Sequence, residues 1–114
     1  MKKFSLNEMT RGWFVGNFDP AALRTEKFEV GVKSYLAGDK EEAHFHKEAV
    51  EITLILEGEV QMNGVHFCGG DIIVIERDEV CEFKAMTNCT TVVVKDRSVA
   101  GDKYIDVGRH RIDD

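Results

Sequence analysis

The chain has 114 residues, enough for one ordinary domain with a modest core that needs no disulfides. Hydrophobic residues make up 43% and charged residues 32%, the balance of a soluble globular protein. Its 15 basic and 21 acidic residues leave a net charge of -6. With no Lys/Arg cluster, that charge argues against nucleic acid and anionic membranes as partners.

Residues 1–26 read as an N-terminal arm that packs on the barrel or on a partner subunit. The opening MKKFSLNEMTRGW carries two lysines without an apolar run behind them, so it does not read as a signal peptide. No stretch approaches the length of a membrane-spanning helix, and a cytoplasmic location is expected. Trp13, Phe14 and Phe18 form an aromatic cluster whose simplest role is packing. Pro20 is expected to open a short helical turn, because its fixed φ suits a first helical position.

Residues 27–95 carry strand patterning. Phe28, Val30 and Val32 alternate with Glu29, Gly31 and Lys33, the period of a half-buried strand. Lys33 and Tyr35 have the opposite parity and face either a cavity or water. Gly38-Asp39 breaks the run, and Ala43 to His46 is a short strand. Val50 to Glu57 is a strong one, rich in β-branched residues. Glu59–Met62 and Val65–Cys68 flank Asn63-Gly64, the best hairpin signal in the chain. Asp71–Ile75, Val80–Met86 and Cys89–Lys95 follow, with Asp71 and the acidic Glu76 to Glu79 in turns. The charged tail, residues 96–114, is an edge strand or loosely held. Short strands with turn residues between them and no convincing helix indicate an all-β sandwich or barrel.

Successive side chains of a strand point to opposite faces. On Val50–Glu57, Glu51, Thr53 and Ile55 share one face, and Val50, Ile52, Leu54 and Leu56 the other. If Glu51 points inward, the aliphatic face points outward and needs a cover. The arm or a second subunit could supply it, and a homodimer is the expected state.

His44 and His46 are two apart on strand sequence and project from one face. Glu51 opens the next strand after a tight turn. Two neutral imidazoles and a carboxylate are the facial-triad ligand set, suited to divalent iron, manganese, nickel or zinc with coordination positions left open. Glu48 lies near enough in sequence to compete with Glu51. As structural readings, His44 and His46 could instead be surface histidines on an edge strand.

The run from Gly38 through His44-Phe-His46 and Glu51 to Gly58 resembles the first cupin motif, and Gly70-Asp71 before Ile-Ile-Val-Ile resembles the start of the second. The resemblance spans about residues 28–95. It implies a double-stranded β-helix (jelly-roll) barrel with a divalent metal (Fe, Zn, Mn or Ni) on His44, His46 and Glu51. The second motif departs from the family. Glu76 stands for its Pro, Asp78 for its Gly, Ala85 for its Asn, and Cys81 for the His that would be a fourth ligand. Cys81 is then a thiolate ligand or, more simply, a small buried residue.

Three cysteines, Cys68, Cys81 and Cys89, form no C-x-x-C pair, so free thiols in a reducing compartment are expected. Cys68 and Cys89 lie in apolar strands and read as core. His66 and His110 read as exposed.

Three functions fit these residues. The resemblance admits a metal-assisted isomerase or epimerase of a small oxygenated, sugar-like or carboxylate molecule, with Glu48 and Tyr35 as the candidate bases. It equally admits an iron-dependent dioxygenase. The degraded second motif favours a third reading, a non-catalytic module that binds a small ligand.

Overall fold

The computed structural model describes residues 1–106. Among them the only helical element is a 3₁₀ turn at Leu6–Glu8. Eleven strands follow: β1 (Trp13–Gly16), β2 (Leu23–Arg24), β3 (Glu29–Tyr35), β4 (Lys40–Phe45), β5 (Glu51–Glu57), β6 (Glu59–Met62), β7 (Val65–Cys68), β8 (Ile72–Ile75), β9 (Cys81–Ala85), β10 (Cys89–Lys95) and β11 (Tyr104–Ile105).

They form two sheets. One has six strands in the order β2-β1-β3-β10-β5-β8, the other five in the order β11-β4-β9-β6-β7. Apart from the parallel β1–β2 pair, the ladders are antiparallel. Strands distant in sequence therefore lie side by side, as in a double-wound jelly roll. No helix of the described residues is long and apolar enough to cross a membrane.

The turn chemistry sets the local geometry. Asn63 and Gly64 both take positive φ, at 52° and 76°, and join β6 to β7 with Met62 opposite Val65. That is the two-residue hairpin the Asn-Gly pair announces. Gly58 has φ of 98°, and a Cβ there would sit 2.5 Å from the Cβ of Cys89. Only glycine allows the chain to pass so close.

The arm departs from its expected form. Pro20 opens no helical turn; Asp19-Pro20 is a cis peptide in a bend. The flanking residues form β1 and β2, which widen the six-stranded sheet. Their brevity hid them from a periodicity reading: β2 has two residues, and Gly16 interrupts the aromatic run of β1. The tail contributes β11, an edge strand on β4. His110 lies outside the described residues.

The core gathers Ile55, Val60, Met62, Ile75, Cys81, Phe83, Ala85 and Cys89. Cys89 is buried as expected, but Cys68 is exposed. It sits on β7, which ends the five-stranded sheet, so its apolar neighbours in sequence do not translate into burial. The three thiols are free.

Candidate functional site

A cavity of about 630 Å³ opens inside the barrel above this core. Met62, Cys81 and Phe83 belong both to the core and to the cavity wall. Register explains what else reaches it. Inward positions of β3 supply Lys33 and Tyr35, those of β5 supply Glu51 and Thr53, and those of β10 supply Thr91, Val93 and Lys95. The parity question left by Lys33 and Tyr35 is thus settled in favour of the cavity.

His44 and His46 enter from the opposite sheet, and both are buried. His44 lies opposite Cys81 in the β4–β9 ladder. Its Nδ1 sits 2.7 Å from the carbonyl oxygen of Glu42, an interaction in which the nitrogen donates. In the neutral ring that bond puts the proton on Nδ1 and the lone pair on Nε2. The two rings stand edge to face with centroids 5.3 Å apart. Burial, then the positive charge of Lys95, pushes the His46 pKa down to about 4, so its imidazole is neutral at pH 7. Glu51 Oε1 is 4.0 Å from His46 Nδ1, while Oε2 accepts a 3.0 Å hydrogen bond from Thr53.

The loop between the histidines and Glu51 is held from outside the barrel. Asp102 is buried and accepts the backbone N–H groups of Lys47, Glu48 and Ala49 at 2.8 to 3.2 Å. A carboxylate from the tail therefore positions the turn that carries His46 toward Glu51. No local pattern signals this contact, because 53 residues separate Asp102 from Ala49.

The donor types present, two imidazoles and a carboxylate, suit a divalent cation. Their placement is looser than a coordination sphere. Among the described residues no three His, Cys, Asp or Glu side chains stand close enough together to enclose an ion. Cys81 shares the cavity wall, but its thiol is directed at the carbonyl of Glu82, 3.5 Å away. Burial, then the nearby Glu51, pushes that thiol up to about 12, so it is protonated at neutral pH.

The candidate bases also find their places. Glu48 is exposed, pairs with Arg97 at 3.3 Å and does not line the cavity, so it cannot reach a ligand there. Its position just outside β5 turns it away from the barrel. Tyr35 does line the cavity, but its hydroxyl donates to Glu41. Burial and then the Glu41 charge raise its pKa, which keeps the hydroxyl protonated, a hydrogen-bond donor and not a base. Glu41 was missed in the sequence because β4 starts three residues earlier than its apolar content suggests. Burial pushes the Glu41 pKa up, but the Tyr35 hydrogen bond and then Lys103, 3.6 Å away, outweigh it and leave the carboxyl below its ordinary value.

Among the described residues four cations line the cavity, Arg11, Lys33, Lys95 and Lys103, against four carboxylates, Asp19, Glu29, Glu41 and Glu51. Lys95 pairs with Glu29 at 3.7 Å and Lys103 with Glu41. Lys33 has no ion pair or hydrogen bond among the described residues. Its ammonium lies 5.4 Å from the Trp13 ring centre, a cation–π contact. Burial lowers its pKa first, opposed by Glu41.

Two sheets of this order match solved structures in fold. A protein with a double-stranded β-helix domain from Klebsiella pneumoniae superposes with a TM-score of 0.68 at 21% identity, over 91% of this chain and 90% of that one. The protein has the cupin fold. A second cupin, a sugar phosphate isomerase from Silicibacter pomeroyi, matches at 0.59 and 23% over 68% of this chain and 54% of its own. The polyketide cyclase RemF from Streptomyces resistomycificus matches at 0.65 and 18%, over 75% and 64%. Neither a family model nor a curated protein matches the sequence.

Proposed function

We propose that this cupin binds a small, oxygenated anion inside its barrel. The observation that carries the reading is Lys33, a half-buried ammonium on the cavity wall with no acceptor among the described residues. Four cations line the cavity beside four carboxylates, Asp19, Glu29, Glu41 and Glu51, so a wall of balanced charge stands in a chain of net charge -6, and with Lys95 and Lys103 paired to Glu29 and Glu41 it is Lys33 that is left to meet an anion. Trp13 offers an apolar surface beside the ammonium. Tyr35 and Thr91 can meet ligand hydroxyls, and the volume suits a molecule the size of a sugar phosphate or a hydroxy acid. The named neighbours act on unlike substrates, so the ligand class is argued from this cavity alone.

The test is thermal unfolding of the full chain with inorganic phosphate and with a sugar phosphate. Both should raise the Tm of the native sequence and leave Lys33→Met unmoved. An equal rise in both proteins would put the anion somewhere else and sink the proposal.

A second reading adds a divalent cation on His44, His46 and Glu51. It is favoured by the neutral His46 beside the Glu51 carboxylate, which needs no proton removed before binding, and by the Nδ1 bond that orients the His44 ring. A bound cation would supply Lewis-acid polarisation of a ligand oxygen, the requirement of an isomerase or epimerase, and iron would suit a dioxygenase. In either case this chain's residues orient the ligand, with the protonated Tyr35 hydroxyl on the cavity wall beside it. Elemental analysis decides it. About one metal per chain, lost in His44→Ala and His46→Ala, is the expected result; metal retained in both variants would remove these histidines from any site.

A further inference from the structure

We infer that Arg11 is a second anion-binding group at the mouth of the cavity, and that with Lys33 it selects a doubly charged phosphate monoester over a singly charged anion. This rests on the anion site proposed at Lys33 and adds the residue that reads the ligand's charge.

Arg11 sits in a strained turn. The Trp13 N–H donates to the Thr10 carbonyl at 3.0 Å, and Arg11 and Gly12 between them both take positive φ, at 51° and 82°. That is a type I′ turn, whose first central position suits Asn, Asp or Gly. The other non-glycine residues with positive φ, among those described, are Asn63 and Asp78, types that tolerate it. A long side chain is held at position 11 against local preference, and strain of that kind gathers where a side chain has to be aimed at a ligand. The turn is also pinned. The Val32 N–H donates to the Gly12 carbonyl at 3.0 Å, and a Cβ on Gly12 would fall 1.8 Å from the Val32 carbonyl oxygen. Val32 precedes Lys33, so the turn lies against the strand that carries the cavity's ammonium.

Charge at the cavity is unevenly matched. Lys95 is held by Glu29 and Lys103 by Glu41. Both carboxylates are further engaged, Glu29 by the Ser98 hydroxyl at 2.7 Å and Glu41 by the Tyr35 hydroxyl. Glu51 stands beside His46 and accepts from Thr53. Asp19 is exposed at the rim and pairs with neither remaining cation. Arg11 and Lys33 are then two cations on one cavity wall without an ion pair or hydrogen bond among the described residues. They are near enough to repel: burial is the largest cause of the lowered Lys33 pKa, and against the opposing pull of Glu41 the Arg11 charge lowers it further. A ligand of one negative charge answers only one of them. A phosphate monoester carries close to two at neutral pH, on oxygens that suit a guanidinium fork and an ammonium together. The Trp13 ring lies over Gly31, with the Lys33 ammonium 5.4 Å and the Lys95 ammonium 5.1 Å from its centre. It gives the rest of a sugar-sized ester an apolar floor beside the charged group.

Calorimetric titration of the full chain at about pH 7.5 compares two ligands with one skeleton and one head-group shape. Glucose 6-phosphate carries close to two negative charges there, and glucose 6-sulfate carries one. The native chain should bind the phosphate at least about tenfold more tightly. Arg11→Asn removes the cation and gives the turn a residue its backbone prefers, so the Tm without ligand should not fall. It should lower phosphate affinity about tenfold and bring the two esters within about threefold of each other. Lys84→Asn removes an equal charge from an exposed position outside this cavity and should leave both affinities unchanged. Equal binding of the two esters by the native chain, or a phosphate preference that survives in Arg11→Asn, overturns the inference and leaves the anion site at Lys33 standing. If neither ester binds, or Lys33→Met keeps both affinities, the anion site itself falls and this inference with it.

Discussion

Replacing Asp102 is expected to cost more stability than its place near the end of the chain suggests. The carboxylate takes the amides of Lys47, Glu48 and Ala49, the last of them on a residue only 2% exposed. In Asp102→Ala, solvent can re-satisfy the Lys47 and Glu48 amides, which belong to exposed residues. Each then loses about 0.5 kcal/mol of net bonding, whereas the Ala49 amide loses its partner outright, at roughly 2 kcal/mol. The sum is about 3 kcal/mol, a large share of the 5–15 kcal/mol typical of a domain. Asp102→Asn keeps a neutral acceptor of the same shape and should lose about half as much. Urea unfolding at one fixed protein concentration measures both. A loss below about 0.5 kcal/mol for the alanine variant, or equal losses for both, would refute the idea that the carboxylate holds this loop.

The remaining predictions concern the barrel and its thiols. In metal-free protein, His46 binds a proton near pH 4 when folded and near 6.5 when unfolded. The unfolded state therefore takes up more protons between these values, and stability falls as pH drops from about 6.5 to 4. His46→Gln should flatten that part of the urea-derived profile, and an unchanged slope would show that the imidazole is not buried neutral. Native protein should react with a thiol reagent at one cysteine, Cys68, with Cys81 and Cys89 reacting only after unfolding, because burial shields both and raises their pKa. Two or more fast thiols would contradict the burial. Gly58→Ala should destabilise by about 2–4 kcal/mol, since its methyl would press on Asn88 and Cys89 at 2.6 and 2.5 Å and its φ is 98°. A loss within 0.5 kcal/mol, again by urea, would mean that the β5–β6 bend relaxes freely.

Much of the barrel was legible because period-two patterning is a local signal. Glu51, Thr53 and Ile55 do turn inward and Ile52, Leu54 and Leu56 outward, as their parity requires. The Asn63-Gly64 hairpin was equally local. What the sequence concealed depends on contacts between distant segments. Asp102 acts on a loop far away in the chain, and Glu41 gains its place only through the β4 register with β9 and its bond to Tyr35. Cys68 misled because strand patterning does not say which strand ends a sheet. The motif brought His44, His46 and Glu51 to one cavity, but sequence spacing could not tell how tightly they gather there.

The account rests on an anion meeting Lys33 inside the barrel, and inorganic phosphate is the smallest probe of that contact. Amide chemical shifts of isotope-labelled full chain, titrated to about 20 mM phosphate, detect even a millimolar site. The predicted changes cluster on Lys33, Tyr35, His44 and Thr91, and vanish in Lys33→Met. Shifts confined to outward-facing lysines such as Lys84, or none at all, would contradict the central claim.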